Sequence, residues 1–327
     1  MTINSDNPSK LTFVDLFSGA GGFSLGFVQE GFKDLMAIEI DKEPAETYSW
    51  NFPQSTVILE DIRKLHSLEI LDTIKESPDV LIASPPCEPF SAANPNRLDS
   101  AWSRFYEDAQ GDLIFHAIRL IGDLAPKIFV IENVVPMINQ EGKDILKAEF
   151  QKVGYETIFF NVIDAENHGC PSIRKRVFIS NIHISLPKKK SLTVADALKD
   201  LPSPSEPNDI PNHTFTHFPQ QVSKKAYKIR PGIAAVFFRG AKLEHKNWIK
   251  LNANEKAPTV MGKSKFIHPT EIRALTPREQ ARLMTYPDDF EFRGPHSSTF
   301  NQIGESVPPV ISRLIAQKIK EKIIRKK

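Results

Sequence analysis

Short apolar segments alternate with amphipathic stretches along the first half of the chain. Seven segments have the length and composition of strands, and most are apolar throughout, as is typical of strands buried on both faces of a sheet. Helical periodicity occupies residues 23–30, 43–50, 65–75, 113–124 and 142–152 between them. This alternation predicts an α/β fold with a doubly wound sheet. The seven strand segments are LTFVDLF at 11–17, DLMAIEI at 34–40, STVIL at 55–59, DVLIAS at 79–84, KIFVIEN at 127–133, YETIFFNVI at 155–163 and RVFISNI at 176–182.

The pattern of residue types changes twice more along the chain. The last two strand segments have no helical stretch between them, so we expect an antiparallel hairpin at the edge of the sheet. After residue 186 a lysine run, the proline-rich stretch LPSPSEPNDIPNHTFTHFP and short basic and aromatic segments follow. Helical signals return with a helix from Thr276 to about Tyr286 and a closing helix over 310–327. We therefore predict a large domain made of residues 1–183 and 268–327, and a small irregular domain at 184–267.

Charge is distributed unevenly along the chain. The formal net charge is only +2, but residues 181–267 carry 15 Lys and Arg against 6 Asp and Glu, while the remainder carries 27 against 34. A polyanion would dock mainly on this basic third. The alternative at this point is a solvated surface with scattered lysines.

No apolar run approaches the roughly 20 residues needed to span a bilayer, and the polar start MTINSDNPSK lacks the features of a secretory signal. These features predict a soluble cytoplasmic protein without a membrane association. Cys87 and Cys170 cannot form a disulfide framework, and no Cys/His cluster has the spacing of a metal site. Each cysteine therefore has to be judged separately.

A glycine-rich segment, DLFSGAGGFSLGF, follows the first strand. Gly19, Gly21 and Gly22 allow a tight turn and a close approach to a ligand at the start of the next helix. The spacing differs from the dinucleotide fingerprint and also suits a plain strand-to-helix turn. Glu39 ends the second strand and could accept ribose hydroxyls, while Asp61 follows the third and could accept an adenine amino group. Both acids also suit helix caps.

A second candidate site follows the fourth strand, which ends in SPPCEPFS. Two prolines stiffen the approach to Cys87, which is thus held at the carboxyl end of a strand. Glu132 ends the next strand, and the later segment SIRKR places Arg174 and Arg176 on one side of an extended chain. Taken singly, the cysteine also suits an inert core position and the arginines suit surface ion pairs.

In their order along the chain, these segments resemble the cytosine-5 DNA methyltransferase family. DLFSGAGG looks like its first cofactor motif, SPPCEPFS its Pro-Cys nucleophile motif, ENV at 132–134 its glutamate motif and SIRKR its arginine motif. RALTPREQARLMTYPDDF and QIGESVPP are similar to its ninth and tenth motifs. The resemblance implies a Rossmann-like domain that binds S-adenosylmethionine and releases S-adenosylhomocysteine. It also implies a small target-recognition domain, double-stranded DNA as substrate and a possible restriction endonuclease partner.

The resemblance also assigns residues. Thiolate addition to C6 of cytosine activates C5 for methylation, which implies Cys87 as the nucleophile. Glu132 would bind N3 and the exocyclic amine, Arg176 would hold O2, and Arg174 would pair with phosphate or lower the pKa of Cys87. The implied cofactor pocket comprises Phe17, Ser18, Gly19, Ala20, Gly21, Gly22, Glu39, Ile40, Asp61, Ile62, Pro86, Ser306 and Val307.

Three residues depart from the usual motifs of the family. Glu88 and Ser172 stand where glutamine is usual, and Glu305 stands where asparagine is usual. The added carboxylates would slow the enzyme. The loop over residues 88–111 is long enough to be functional, and in the family it closes over DNA, so Ser91, Arg97 and Arg104 are expected to contact DNA there.

Three other functions are consistent with parts of this pattern. An RNA cytosine-5 methyltransferase would share the fold, but the Cys-Phe-Thr signature of the tRNA-modifying branch is missing. A non-catalytic regulator would be expected to lose its nucleophile, and both Cys87 and Glu132 are present. A dehydrogenase would leave the cysteine loop without a role.

Overall fold

The computed structural model describes residues 10–241, 244–262 and 265–325. Its main sheet has seven strands in the order β3-β2-β1-β4-β5-β7-β6. The first five strands in this order are parallel, whereas β7 is antiparallel to both β5 and β6. All seven strand predictions and the edge hairpin are confirmed. The strands are β1 (Thr12–Leu16), β2 (Lys33–Glu39), β3 (Thr56–Leu59), β4 (Val80–Ala83), β5 (Ile128–Asn133), β6 (Phe159–Asp164) and β7 (Lys175–Ser180).

Helices cover both faces of the sheet because alternate residues of the buried strands point to opposite sides. In β4, Leu81 and Ala83 contribute to one core cluster, whereas Val80 and Ile82 contribute to the other. The predicted doubly wound α/β fold is therefore confirmed. The helices of this part are α1 (Gly22–Gln29), α2 (Lys42–Asn51), α3 (Ser67–Ile74), α4 (Ala101–Tyr106), α5 (Leu113–Leu124) and α6 (Gln140–Lys152), and α4 was not predicted.

The segment predicted as irregular contains a small sheet of its own. Its strands are in the order β10-β9-β8, with β8 antiparallel to β9. Trp248, Val222 and Ala235 belong to a separate core cluster beneath it. The strand EHKNWIK was not predicted because polar residues lie on both of its faces, so apolar and polar positions do not alternate along it. The elements are α7 (Val194–Leu198), α8 (Gln220–Ala226), β8 (Ala234–Arg239), β9 (Glu244–Lys250) and β10 (Phe266–Ile267).

The chain then returns to the main sheet. Thr276 caps the first returning helix by accepting a hydrogen bond from the Glu279 backbone, as its position suggested, but the helix ends before Tyr286. The closing helix packs against α1, and the final two residues of its predicted span lie outside the described residues. No helix within the described residues is both long and apolar enough to cross a bilayer. The returning helices are α9 (Pro277–Leu283), the unpredicted α10 (His296–Glu305) and α11 (Pro309–Ile324).

Candidate active site and cofactor pocket

Parallel pairing brings the candidate residues to one edge of the main sheet. The glycine loop follows β1, Glu39 ends β2, the cysteine loop follows β4 and Glu132 lies near the end of β5. The chain order reverses between β1 and β4, which are neighbours in the sheet. Ligands of open α/β sheets bind in the crevice at such a reversal, outside the carboxyl ends of the strands.

The glycine loop has a strained backbone that only this arrangement of residues accommodates. Phe17 has φ 58° and Gly19 has φ 53°, both in the left-handed region, and a non-glycine residue such as Phe17 rarely adopts it. A Cβ added to Gly22 would lie 2.6 Å from the Val307 carbonyl oxygen and 2.9 Å from the Ser306 Cβ. The returning segment, with Ser306 and Val307, thus packs directly on the loop.

Glu39 holds the loop as well as facing the crevice. One carboxylate oxygen accepts a hydrogen bond from the Gly19 backbone at 2.7 Å, and the other accepts from the Ile40 and Asp41 backbones at 2.8 and 2.9 Å. Burial raises the pKa of Glu39, while these three N–H groups lower it. A carboxylate has about four acceptor sites, so about one stays available to a ligand.

The crevice has features that fit an adenosyl ligand. A Cβ built on Gly19 would have no neighbour within 4 Å, and the buried hydroxyls of Ser18 and Ser84 have no hydrogen-bond partner within the protein. Ile40, directly after β2, is 58% exposed beside Glu39, which leaves an apolar side chain open to the crevice. An apolar face, unpaired hydroxyls and open backbone are the features that such a ligand would use.

Other predicted pocket residues have structural roles. Asp61 caps a short 3-10 helix by accepting from the Arg63 backbone at 3.0 Å, and it also pairs with the Arg63 guanidinium. Ala20 and Ile62 are buried in core clusters. Pro86 is half-buried beside Cys87. Asp61 thus acts as the helix cap that its sequence position also suggested. Its second carboxylate oxygen accepts no hydrogen bond from the backbone of this helix.

Cys87 is half-buried at the start of the loop after β4. The pKa of its thiol is raised to about 12, mainly by burial and also by the charges of Glu88 and Glu132, whereas Arg176 and Arg174 lower it. The Asn133 side chain donates a hydrogen bond to the Pro85 carbonyl at 3.0 Å and ties this loop to β5. This role of Asn133 was not predicted, although its place in the ENV segment was the available signal.

Glu132 and Arg176 form a pair next to the cysteine. The Arg176 Nε lies 3.1 Å from a Glu132 carboxylate oxygen, and Glu132 is 5% exposed. Burial raises the pKa of Glu132, and the two arginines lower it. A carboxyl group buried in this way is protonated more easily than the carboxyl group of an exposed glutamate.

The structure corrects the expected role of Arg174. Its guanidinium is 2% exposed and donates to the carbonyls of Val260, Gly304 and Ser306 at 2.9, 3.0 and 2.8 Å. A phosphate contact is not available to this buried group, although its charge does lower the pKa of Cys87 as expected. Arg174 instead joins the end of the small domain and the returning segment to the strand that carries Arg176.

The three departures from the family motifs differ in their surroundings. Ser172 is buried, with its hydroxyl 3.3 Å from the Cys170 sulfur. A carboxylate oxygen of Glu305 would lie 2.5 Å from a Cβ added to Gly262, so this side chain contacts the end of the small domain. Both Glu305 and Glu88 are exposed, and Glu88 stands next to Cys87.

The long loop after Cys87 is folded on itself. Arg104 is 6% exposed, and it donates to the Leu98 carbonyl at 2.7 Å and to the Asp99 carbonyl. The Glu141 carboxylate accepts from the first backbone N–H groups of α4 at 3.0 and 3.2 Å. In this conformation the Arg104 guanidinium stabilises the loop's own turn, and the DNA contact expected of it stays a prediction.

The small domain carries an open groove between α8 and β8, of about 590 Å³. Lys224, Lys225, Lys228 and Arg230 surround an apolar floor that includes Phe237, itself 54% exposed. No acidic residue lines this groove, and among the described residues no carboxylate forms an ion pair with Lys224, Lys228 or Arg230. Four of the 15 Lys and Arg residues of the basic third thus surround an exposed aromatic ring.

Comparisons with known proteins agree with this arrangement. The model of the C-5 cytosine-specific DNA methylase family matches residues 11–321. A Methanocaldococcus jannaschii protein assigned to the type II methyltransferases is 42% identical over 365 residues, which cover 96% of this chain and 99% of that protein. The type II methyltransferase M1.HphI of Haemophilus parahaemolyticus is 32% identical, with 95% and 87% covered.

A solved structure gives the same result for the fold. It is assigned as a DNA modification methyltransferase encoded within a prophage of E. coli, and it superposes with a TM-score of 0.77 at 27% identity, covering 97% of this chain and 100% of that chain. Since the family model spans almost the entire main sheet and the small domain, the protein belongs to the C-5 cytosine-specific DNA methylase family.

Proposed function

We propose that this protein is a DNA (cytosine-5) methyltransferase that rotates its target cytosine out of the duplex and attacks it with Cys87. The observation that carries the proposal is the convergence of Cys87, Glu132 and Arg176 at the same sheet edge as the glycine loop. A base inside the duplex cannot reach a half-buried thiol between two loops, so the target has to leave the stack.

The residues present fit S-adenosylmethionine as the cofactor. Glu39, Ile40, the Ser18 hydroxyl and the open backbone at Gly19 would hold it, with Ser306 and Val307 closing the pocket. When bound, it supplies an electrophilic methyl group. Family membership supports the same cofactor.

The proposed chemistry follows from the charges around the base. The Cys87 thiolate adds to C6 of cytosine, and the electron pair of the C5–C6 double bond moves to C5, which becomes nucleophilic toward the methyl group. Glu132 in its protonated form donates to N3, and Arg176 stabilises negative charge at O2. After methyl transfer the C5 proton leaves to a base, the double bond re-forms and the thiolate is expelled.

Because the pKa of Cys87 is high, the site has to promote loss of the thiol proton and stabilise the thiolate. The resting thiol is protonated at neutral pH, so its proton has to leave as the base docks. Arg176 and Arg174 are the cations that favour the thiolate, and Glu88 opposes them. The pair of arginines near the thiol is therefore part of the proposed activation, with Arg174 acting from its fixed position.

The test uses DNA with 5-fluorocytosine at the target position. Fluorine blocks the loss of the C5 substituent, so we expect a denaturant-stable adduct between Cys87 and DNA when S-adenosylmethionine is present. Cys87→Ala should lose the adduct and turnover but retain DNA binding, because phosphate contacts supply most of the affinity. Cys170→Ala is the matched control and should still form the adduct. An adduct that survives in the Cys87 variant would overturn the mechanism.

We further propose that the protein acts as the modification enzyme of a restriction-modification system in the bacterial cytoplasm. Two relatives that are named or assigned as type II methyltransferases support this role. Bisulfite sequencing of host DNA after expression should show 5-methylcytosine within one short sequence word. Methyl transfer to tRNA but not to duplex DNA would instead support the RNA methyltransferase alternative.

Sequence choice is proposed to reside in the small domain over residues 184–267. The basic groove between α8 and β8 supports this proposal, because unpaired cations around an exposed aromatic ring suit a nucleic-acid surface. An exchange of residues 185–265 for the segment of a relative should change the methylated word. A folded chimera that methylated the original word would contradict this assignment.

A further inference from the structure

Four oxygen atoms form a buried chain beneath the glycine loop. An Asp15 carboxyl oxygen lies 2.5 Å from the Ser24 hydroxyl, which lies 2.7 Å from the Tyr48 hydroxyl, and that hydroxyl lies 2.6 Å from an Asp34 carboxyl oxygen. Asp15, Ser24 and Tyr48 are fully buried, and Asp34 is 7% exposed. The four residues come from β1, α1, α2 and β2, so the chain joins every element around the loop.

The number of protons in this chain follows from its geometry. Each of the three contacts is short enough to require one hydrogen between its two oxygens. The hydroxyls of Ser24 and Tyr48 supply two of these hydrogens, because each carries one donor. The third hydrogen has to come from a carboxyl group. Without it, one pair of oxygens would face each other with no hydrogen between them.

The surroundings identify Asp15 as the carboxyl that holds the proton. No lysine, arginine or histidine of the described residues pairs with either carboxyl. Burial raises the pKa of Asp15 well above its ordinary range; the hydrogen bond with Ser24 lowers it, and the neighbouring charges of Asp34 and Glu39 raise it. Burial raises the pKa of Asp34 only to about 6. With the proton on Asp15, the order of donation is Asp15 to Ser24, Ser24 to Tyr48 and Tyr48 to ionised Asp34.

The hydrogen bond between Asp15 and Ser24 joins the two ends of the glycine loop. Asp15 lies two residues before Phe17, where the strained turn begins, and Ser24 lies in the first turn of α1, just after the turn ends. Their hydrogen bond therefore closes the base of the loop, and Glu39 holds its tip through the Gly19 backbone. The groups facing Asp15 are Ser24 from α1, Tyr48 from α2, and Asp34 and Glu39 from β2, with no cation among them.

We propose that Asp15 is a positioning residue that keeps the cofactor loop in its binding conformation only while its carboxyl group is protonated. This inference rests on the proposed function, because it assumes that the loop binds S-adenosylmethionine. Loss of the proton leaves two carboxylates in one buried chain next to Glu39, and their repulsion opens the base of the loop. Because the protonated form is the one that the fold favours, the loop is held below the pKa of Asp15 and released as pH rises through it.

Calorimetric binding of S-adenosylmethionine from pH 6 to pH 9.5 tests the proposal. The affinity of the unaltered protein should fall on the alkaline side, by up to about tenfold for each pH unit above the dissociation of the proton. Asp15→Asn keeps a donor toward Ser24 at every pH, so its affinity should stay constant over this range. Glu156→Gln, which alters an exposed carboxylate before β6, should behave like the unaltered protein. Coinciding profiles for the unaltered protein and Asp15→Asn would overturn the proposal.

An infrared measurement tests the proton without cofactor. The unaltered protein at pH 7.5 should show the carbonyl band of a protonated carboxyl group, and Asp15→Asn should lose it. Glu132→Gln removes another buried carboxyl with a raised pKa and should retain the band. Absence of the band from both the unaltered protein and Glu132→Gln would refute a protonated Asp15, even if Asp15→Asn failed to fold. Lack of cofactor binding at any pH, with the band present, would count against the proposed function instead.

Discussion

Replacement of Glu88 by glutamine should make Cys87 more reactive. Glu88 is exposed directly after the cysteine, and its charge raises the pKa of the thiol. Glutamine keeps the shape of the side chain and removes the charge. The substitution therefore isolates the electrostatic effect of one of the residues that depart from the family motif.

The expected size follows from Coulomb's law. Neighbouring side chains place the two charges about 7 Å apart, where one charge contributes ~0.6 kcal/mol in water, or roughly a threefold change in the thiolate population. A lower effective dielectric would enlarge this effect, but Glu88 is exposed, so the value for water applies and salt reduces it further. We expect an increase of about threefold at low ionic strength and a smaller one in 0.5 M salt.

Alkylation of Cys87 by iodoacetamide, followed by peptide mass spectrometry, measures this effect between about pH 7 and pH 9, below the pKa of the thiol. Cys170 is fully buried and should react slowly, so the signal belongs to Cys87. Glu156→Gln is the matched control, because Glu156 is exposed before β6, at the opposite edge of the sheet. Equal or slower alkylation of Glu88→Gln relative to the unaltered protein would refute the electrostatic argument.

Three further outcomes are expected from the contacts described above. Glu39→Ala should weaken S-adenosylmethionine binding in calorimetry and also lower the melting temperature, because three backbone N–H groups lose their acceptor. Glu39→Gln keeps one oxygen and should have smaller effects on both the affinity and the melting temperature. An unchanged affinity for both variants would exclude Glu39 from the pocket. Arg174→Met should lower the free energy of unfolding in urea by about 3 kcal/mol, because three buried carbonyls lose their donor, and a change within error would show that these hydrogen bonds contribute little. The double substitution of Lys224 and Lys228 by glutamine should reduce the slope of log affinity for DNA against log salt by about 2. The same change at Lys318 and Lys322 on α11 is the control. Equal slopes for the Lys224/Lys228 variant and the unaltered protein would show that the groove does not belong to the DNA surface.

The local sequence determined the main sheet and the identity of the candidate catalytic residues. Strands buried on both faces need continuous apolar segments, and these were visible without any tertiary information. Cys87 and Glu132 could be assigned to one site because the carboxyl ends of neighbouring parallel strands meet at one edge. Polar strands such as β9 and the short helix α4 were missed, since they are stabilised by contacts that their own residues do not encode.

Only the tertiary structure decided what the buried charged groups do. Arg174 and Arg176 look equivalent in the sequence, yet one is fixed by the carbonyls of Val260, Gly304 and Ser306 while the other faces Glu132. In the same way, Asp15 belongs to a recognisable motif, but its proton follows from hydroxyls on two helices and a second carboxyl on β2. The physical reason is that desolvation and hydrogen bonding depend on every group around an atom, and the fold brings those groups from distant parts of the chain.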